Sequence, residues 1–594
     1  MKRSLKSHLF CANRQISHGS EFCTGGRVKR RRREARLISV PEREWGGRLP
    51  IALVFPQKAS LAYSSLGWQA VLQLLEARAN LAVEPVFWDP DQAELVRPAG
   101  SRGLNEYGVV AFSLTYEFDY LALLRILNVA SIPPMAAQRP SWPLIMAGGA
   151  LAFLNPAPIT PSVDLFWVGE AEAGLAECLT TLADIYIRNG SRSLALETAA
   201  TMPGVYVPGQ SALPVRRAVH VGDRSASELV APVTSCFTSP DAVFRDTLLL
   251  EVNRGCPHGC RFCAAGYMYR PPRLAAVEVL RERVLQAKPR KVGLVGTALT
   301  DWPDLVPFLV WLREQKVDVS LSSLRAEGVS EELLDTLRGL GTRTVTLALE
   351  GASHGLRCSM NKHVREDAFL RTVELLSRKG FNHLKIYLLV GWPGETEADW
   401  EEFGRFLQEV DLARTSGAVK RKSNLKLISL GLGCLVPKPW TPLQWAAMAD
   451  EQTFKERIAM VRRLAKKIPG VQVRSDSPWL ARLQGLLARG DARVHDLIQK
   501  AAANQGREQD VWTDALSEWS GDSSWYLDRE RGHDEVFPWE VIDLGVSREY
   551  LWQEWQKVGT RRKTPQCPSM LVSDKHRPGC PGCRRCGMDE WLQT

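Results

Sequence analysis

Apolar positions along this chain fall into short runs separated by amphipathic stretches. Residues 50–56 form an almost unbroken apolar run, the pattern of a strand buried on both faces. Over 66–78, Leu66, Ala70, Leu74 and Ala77 share one helical face. Further apolar runs at 83–88, 109–114, 144–149 and 164–169 alternate with helical stretches near 120–129 and 170–186. That alternation predicts a parallel, doubly wound, Rossmann-like domain over 49–187, with ligands at the carboxyl ends of its strands. Residues 188–243, with frequent Pro and Gly, read as a connector. Strand–helix alternation then resumes. Strands are expected at 248–252, 292–295, 317–321, 344–349, 384–390 and 425–430, with helices between them. Six such units predict a partial (β/α)6 barrel over 244–442, its site again at the strand carboxyl ends. Residues 443–556 read as helix-rich and 557–594 as a cysteine-rich tail. The fold class is therefore α/β, with a helical C-terminal region.

Composition narrows this picture. A chain of 594 residues exceeds one ordinary domain, and 45% hydrophobic content suffices for real cores. No apolar run approaches the roughly 20 residues that span a bilayer. The N-terminus lacks the pattern of a secretory signal. A cytoplasmic protein without membrane contact is expected, and there 13 cysteines point to metal rather than disulfides. Charge gathers at the ends. Residues 1–48 hold 13 Lys and Arg against 4 Asp and Glu, and residues 557–594 hold 8 against 3. The run Lys29-Arg30-Arg31-Arg32-Arg33 would suit RNA or another polyanion. The plainer expectation for 1–48, which lacks apolar periodicity, is a disordered leader, or residues upstream of the true start.

The candidate chemistry centres on Cys256-Pro-His-Gly-Cys260-Arg-Phe-Cys263, directly after the strand at 248–252. Three thiolates at C-x3-C-x2-C spacing suit one face of a [4Fe–4S] cube and leave the fourth iron without a protein ligand. His258 is poorly placed to complete a zinc tetrahedron with them. Strand, glycine, spacing and the aromatic Phe262 together resemble the cluster loop of the radical S-adenosylmethionine (SAM) superfamily. The resemblance implies that the open iron chelates SAM and that reductive cleavage yields a 5′-deoxyadenosyl radical. It also implies an electron donor such as flavodoxin or ferredoxin.

Polar residues at the predicted strand ends are the cofactor-site candidates. They are Gly296 and Thr297 after the second strand, Ser322 and Arg325 after the third, Glu350 after the fourth and Gly391 after the fifth. Arg270, just after the cluster loop, is a candidate to neutralise the cluster or anchor SAM. Glu395 reads equally as site residue or helix-start chemistry. Trp440, in the proline-rich stretch 435–442, reads as a lid over the barrel mouth or as packing. In the tail, Cys567, Cys580, Cys583 and Cys586 suffice for a second metal; zinc and iron–sulfur stay open, with His576 as an alternate ligand.

The N-terminal block resembles the cobalamin-binding (B12-type) domain that precedes many radical SAM domains. Gly148-Gly149 and Gly169-Glu170 would be turns along the cofactor's nucleotide tail. The loop at 57–67 lacks the cobalt-ligating His of many such domains, so cobalamin stays open. The whole order resembles fused B12-type radical SAM proteins of unassigned reaction, and leaves the substrate blank. With cobalamin, methylation of an unactivated carbon is the expected reaction. Alternatives are a methylthiotransferase-like modifier of RNA or protein and a non-catalytic iron–sulfur scaffold.

Overall fold

The computed structural model describes residues 44–97, 102–220, 228–229, 231–418, 425–567, 583 and 585–593. The basic run 29–33, His576 and Cys580 lie outside them.

The N-terminal sheet is formed by β1 (Leu49–Phe55), β2 (Leu81–Asp89), β3 (Glu94–Val96), β4 (Val109–Ser113), β5 (Leu144–Gly148), β6 (Leu165–Trp167) and β7 (Val205–Tyr206), in the order 3-2-1-4-5-6-7. β3 and β7 pair antiparallel at the two edges and the rest is parallel. Every residue of β1 is buried, as continuous apolar runs require when helices cover both faces. This is the doubly wound domain expected from the sequence.

The second sheet system is the barrel. Thr247–Glu251, Lys291–Val295 and Asp318–Ser320 form one parallel set. Thr344–Glu350, His383–Val390, Leu427–Cys434 and Val471–Ser475 form another. A bridge between Leu324 and Leu347 joins the two sets. In the first three strands of the second set buried residues alternate with half-buried ones. One face, with Val345, Leu347, Ile386 and Leu430, is core; the other carries Thr346, Glu350, Lys385, Tyr387 and Ser429. The strand Val471–Ser475 extends the barrel to seven strands, past the six predicted. Its Val-Gln-Val-Arg-Ser pattern offers only two apolar residues, too few to announce a strand.

The C-terminal region does not stand apart. Ile542–Asp543 pairs with Val215–Arg216 of the connector. Asn155, below β5, donates to the carbonyls of Ala488 and Gly490 at 3.0 and 2.8 Å. Glu117, after β4, accepts from Gln484 at 2.9 Å and pairs with Lys438. No helix among the described residues is long and apolar enough to cross a membrane.

Candidate active site

The cysteine loop leaves the strand Thr247–Glu251 through a hinge that admits little variation. Gly255 has φ +79°, and a Cβ there would lie 2.3 Å from the Tyr269 carbonyl oxygen. The Asn253 amide donates to the Gly255 oxygen at 3.1 Å, and the Thr297 hydroxyl donates to the same oxygen at 2.5 Å. Deeper in the loop, Arg261 is fully buried. It donates to Glu554 Oε2 at 3.0 Å and to the carbonyls of Ser359 and Arg562, both at 2.7 Å. Asn361 and Tyr267 donate to the Gly259 oxygen at 3.0 and 3.2 Å. The loop is thus fixed by its backbone carbonyls while its thiols stay unlinked. Cys260 is buried, Cys256 and Cys263 are half-buried, and none is in a disulfide.

Burial and the neighbouring thiols push Cys263 up to about 11 and Cys256 well above the ordinary thiol value. Backbone N–H groups of His258 at Cys256, and of Gly266 and Ala265 at Cys263, act the other way. Among the described residues no three His, Cys, Asp or Glu side chains converge to hold a single ion. A cube that takes one thiolate per iron asks for wider separation than a mononuclear site. Three thiols in one buried loop, with N–H groups turned to the sulfurs, fit such a cluster.

The remaining candidates gather at the strand ends. Gly296 presses on Asn253: a Cβ there would lie 1.9 Å from Asn253 Oδ1. That Oδ1 is buried and has no hydrogen-bond partner among the described residues, as is true of His258 Nδ1, Ser320 Oγ and Thr300 Oγ1 nearby. Ser322 Oγ is 3.5 Å from the Gly296 oxygen. Glu350 has φ +65° at an irregularity in its strand and lies 3.5 Å from Lys362 Nζ. A non-glycine residue in that conformation is strained, and such strain clusters at functional sites. Lys362 is buried beside Cys260 and Cys263. Burial would lower its ammonium, but Glu350 and Cys260 hold it above the ordinary lysine value.

Arg325 donates to the His363 oxygen at 2.9 Å. It lines a cleft of about 460 Å³ with His258, Asp301, Arg365, Lys563 and Gln566. His258 hydrogen-bonds Asp301; burial nevertheless holds the imidazole below its usual range. Gly391 has φ +84° and no room for a Cβ, which would meet Phe454 at 2.3 Å. Its N–H and that of Trp392 donate to Glu395 Oε2 at 3.0 and 3.2 Å, and Trp400 and Arg457 hold Oε1. Glu395 therefore ties down the turn. The Trp392 ring meets Phe262 edge-on at 6.3 Å. Arg270 donates to the Gly266 oxygen at 2.8 Å and lies between the rings of Tyr267 and Tyr550.

Trp440 is 7% exposed, with φ +58° and its backbone N–H on Gln444 Oε1 at 3.0 Å. Lys362, Asp301, Asn253 and Arg261 escaped the sequence reading. Asn253 and Asp301 flank recognised motifs and were within reach of it; Lys362 carries no sequence signal.

The turn at Gly169-Glu170 is occupied by the chain itself. A Cβ on Gly169 would lie 2.2 Å from the Ala218 oxygen. Glu170 is buried, accepting from Arg273 at 2.9 Å, Arg254 at 3.0 Å and the His220 N–H at 3.1 Å. Gly149 is likewise closed, by the backbone of Leu114. Ser113, Tyr116 and Gly148 on the same edge are half-buried and Thr115 is exposed.

Fold and loop together define an enzyme of the partial-barrel class with a three-thiol cluster loop at its strand ends. Residues 250–407 match the model of the radical SAM superfamily, and residues 67–208 that of the N-terminal region of radical SAM proteins. The chain is a radical SAM enzyme. It is 26% identical over 448 residues to the uncharacterized protein MJ0966 of Methanocaldococcus jannaschii, covering 75% of this chain and 89% of that one. It is 27% identical over 240 residues to the threonylcarbamoyladenosine tRNA methylthiotransferase MtaB of Treponema pallidum, covering 37% and 49%. Among solved structures it resembles the radical SAM methyltransferase TsrM from Kitasatospora setae. The TM-score is 0.49 at 13% identity, over 79% of this chain and 99% of that one.

Proposed function

We propose that this enzyme cleaves SAM reductively at the Cys256, Cys260 and Cys263 loop and uses the resulting radical to abstract hydrogen from a carbon substrate. The observation that carries the reading is the loop itself: three unlinked thiols in a buried turn, tied by Asn253 and Thr297 to the next strand end. Cys256, Cys260 and Cys263 would hold a [4Fe–4S] cluster, which would supply the electron for reductive cleavage of SAM. The chain's own groups do the positioning. Asn253 Oδ1, beside Gly296, offers an unused acceptor for the SAM ammonium. Lys362 and Glu350 bring both charges to the edge of Cys260 and Cys263. Ser322 and Arg325 supply a hydroxyl and a guanidinium on the substrate side.

The test is 5′-deoxyadenosine release by anaerobically reconstituted protein with dithionite and SAM. Wild type releases it. The Cys256→Ala/Cys260→Ala/Cys263→Ala variant does not, and loses about four irons. A wild type that holds the iron and never cleaves SAM ends this reading in favour of a cluster-bearing scaffold.

A second reading is cobalamin-dependent methylation. It is supported by Ser113, Thr115 and Tyr116 on the N-terminal carboxyl edge, which are half-buried or exposed beside the half-buried Gly148. Gly169 and Glu170 take no part in it. Cobalt bound at about one per chain, with methyl transfer from SAM, supports this branch; no uptake of added hydroxocobalamin rejects it.

A further inference from the structure

The tail cysteines stand apart from the chemistry above. Three observations bring them together. The Cys567 N–H donates to the Pro257 oxygen at 2.8 Å, so the tail lies directly on the first cysteine loop. The Arg585 guanidinium donates to the Pro565 and Gln566 oxygens at 3.2 and 3.0 Å, which draws Arg585, next to Cys586, to the segment before Cys567. Cys586 is 5% exposed and its carbonyl is held by the Ser547 N–H at 2.9 Å.

The fourth observation is a charge without its complement. Arg270 is 4% exposed, and among the described residues its partners, the Gly266 oxygen and the rings of Tyr267 and Tyr550, include no carboxylate. Its surroundings are two phenols, neutral at physiological pH, and the thiols of Cys586 and Cys567. A buried cation is costly unless an anion accompanies it. Thiols supply that anion when a metal holds them deprotonated.

We propose that Cys567, Cys583 and Cys586 are thiolate ligands of a second metal centre, zinc or iron–sulfur, built beside the first cysteine loop with Arg270 as its counter-charge. Among the described residues no three such side chains converge on one ion, so metal binding itself would draw the thiols together. Pro257 and Arg270 then make the two centres neighbours, and the second one clamps the loop that carries the first.

The experiment is a zinc and iron count on full-length protein purified anaerobically without added metal. Wild type should hold about four irons for the first loop plus about one zinc or about four further irons. Mössbauer spectra separate zinc from a second cluster. The Cys583→Ser/Cys586→Ser variant should lose only the extra metal, and the Cys256/Cys260/Cys263→Ala variant should keep it. Wild type with about four irons and no zinc overturns the proposal. So does a double variant, folded by circular dichroism, with undiminished metal. If the double variant does not fold, the wild-type count decides alone. Loss of SAM cleavage would sink the radical reading and leave this count unaffected.

Discussion

Gly296 illustrates how little room the site allows. Its missing side chain is what lets Asn253 sit against the strand end while holding the Gly255 carbonyl. Gly296→Ala should push Asn253 out of that position, at about 1–3 kcal/mol of overpacking. The expected outcome is weaker SAM binding and faster loss of iron on gel filtration, with the fold retained. Unchanged SAM affinity in equilibrium dialysis would remove Asn253 from the site. That Gly296 and Thr297 follow a strand end was legible in the sequence, because the apolar run before them stops there. Lys362 was not, because it follows the short helix His354–Ser359 in no periodic pattern. Only the backtracking chain brings it to Cys260. Arg270 was legible as a charge near the loop, but whether it faces the front or the back depends on packing that no motif records.

At the scale of elements, the join between the N-terminal sheet and the barrel is a cluster of charges. Glu170 at the end of β6 takes Arg273 and Arg254, and Arg254 also reaches Glu172 and Glu251. Burial would raise Glu170, but the two guanidiniums hold it near 2. Glu170→Gln leaves the buried Arg273 without a carboxylate, while Arg254 keeps Glu172 and Glu251; the loss costs about 3–5 kcal/mol. We expect a markedly lower melting temperature, read by differential scanning calorimetry, whereas a neutral effect would mean that Glu172 and Glu251 suffice. The sequence presented Gly169-Glu170 as a ligand turn. Glycine followed by an acid at a strand end looks the same whether a cofactor or the protein's own arginines meet it. The alternation of the main strands and helices was legible because most are long or strongly periodic, whereas the short edge strands β3 and β7 were not. The strand Val471–Ser475 escaped because its place comes from pairing with Leu427–Cys434.

Taken whole, the chain is woven together rather than strung out in blocks. His495 in the C-terminal region bonds Ser162 of the N-terminal domain at 2.6 Å and is 4% exposed. Burial lowers its imidazole to about 4, against about 6.5 in the unfolded chain. The unfolded chain therefore takes the proton first. The stabilisation is complete above about pH 6.5 and is lost as pH falls toward 4. His495→Gln, which cannot titrate, should flatten the fall in melting temperature between those values; an unchanged slope would assign the fall to other groups. The sequence reads as blocks, with the barrel ending at 442, yet a seventh strand lies beyond that bound. It held no sign of this cross-packing, because contacts between distant segments leave no local pattern. The anchoring of Arg261 by Glu554, 293 residues later, has a consequence for biosynthesis. At about 5–20 residues per second, roughly 15–60 seconds separate the emergence of the two from the ribosome. For that interval the three thiols stand in a turn whose deepest anchor does not yet exist. Iron and sulfide can be delivered to an open loop, and completion of the helix Arg548–Thr560, which carries Glu554, then shuts the door behind them.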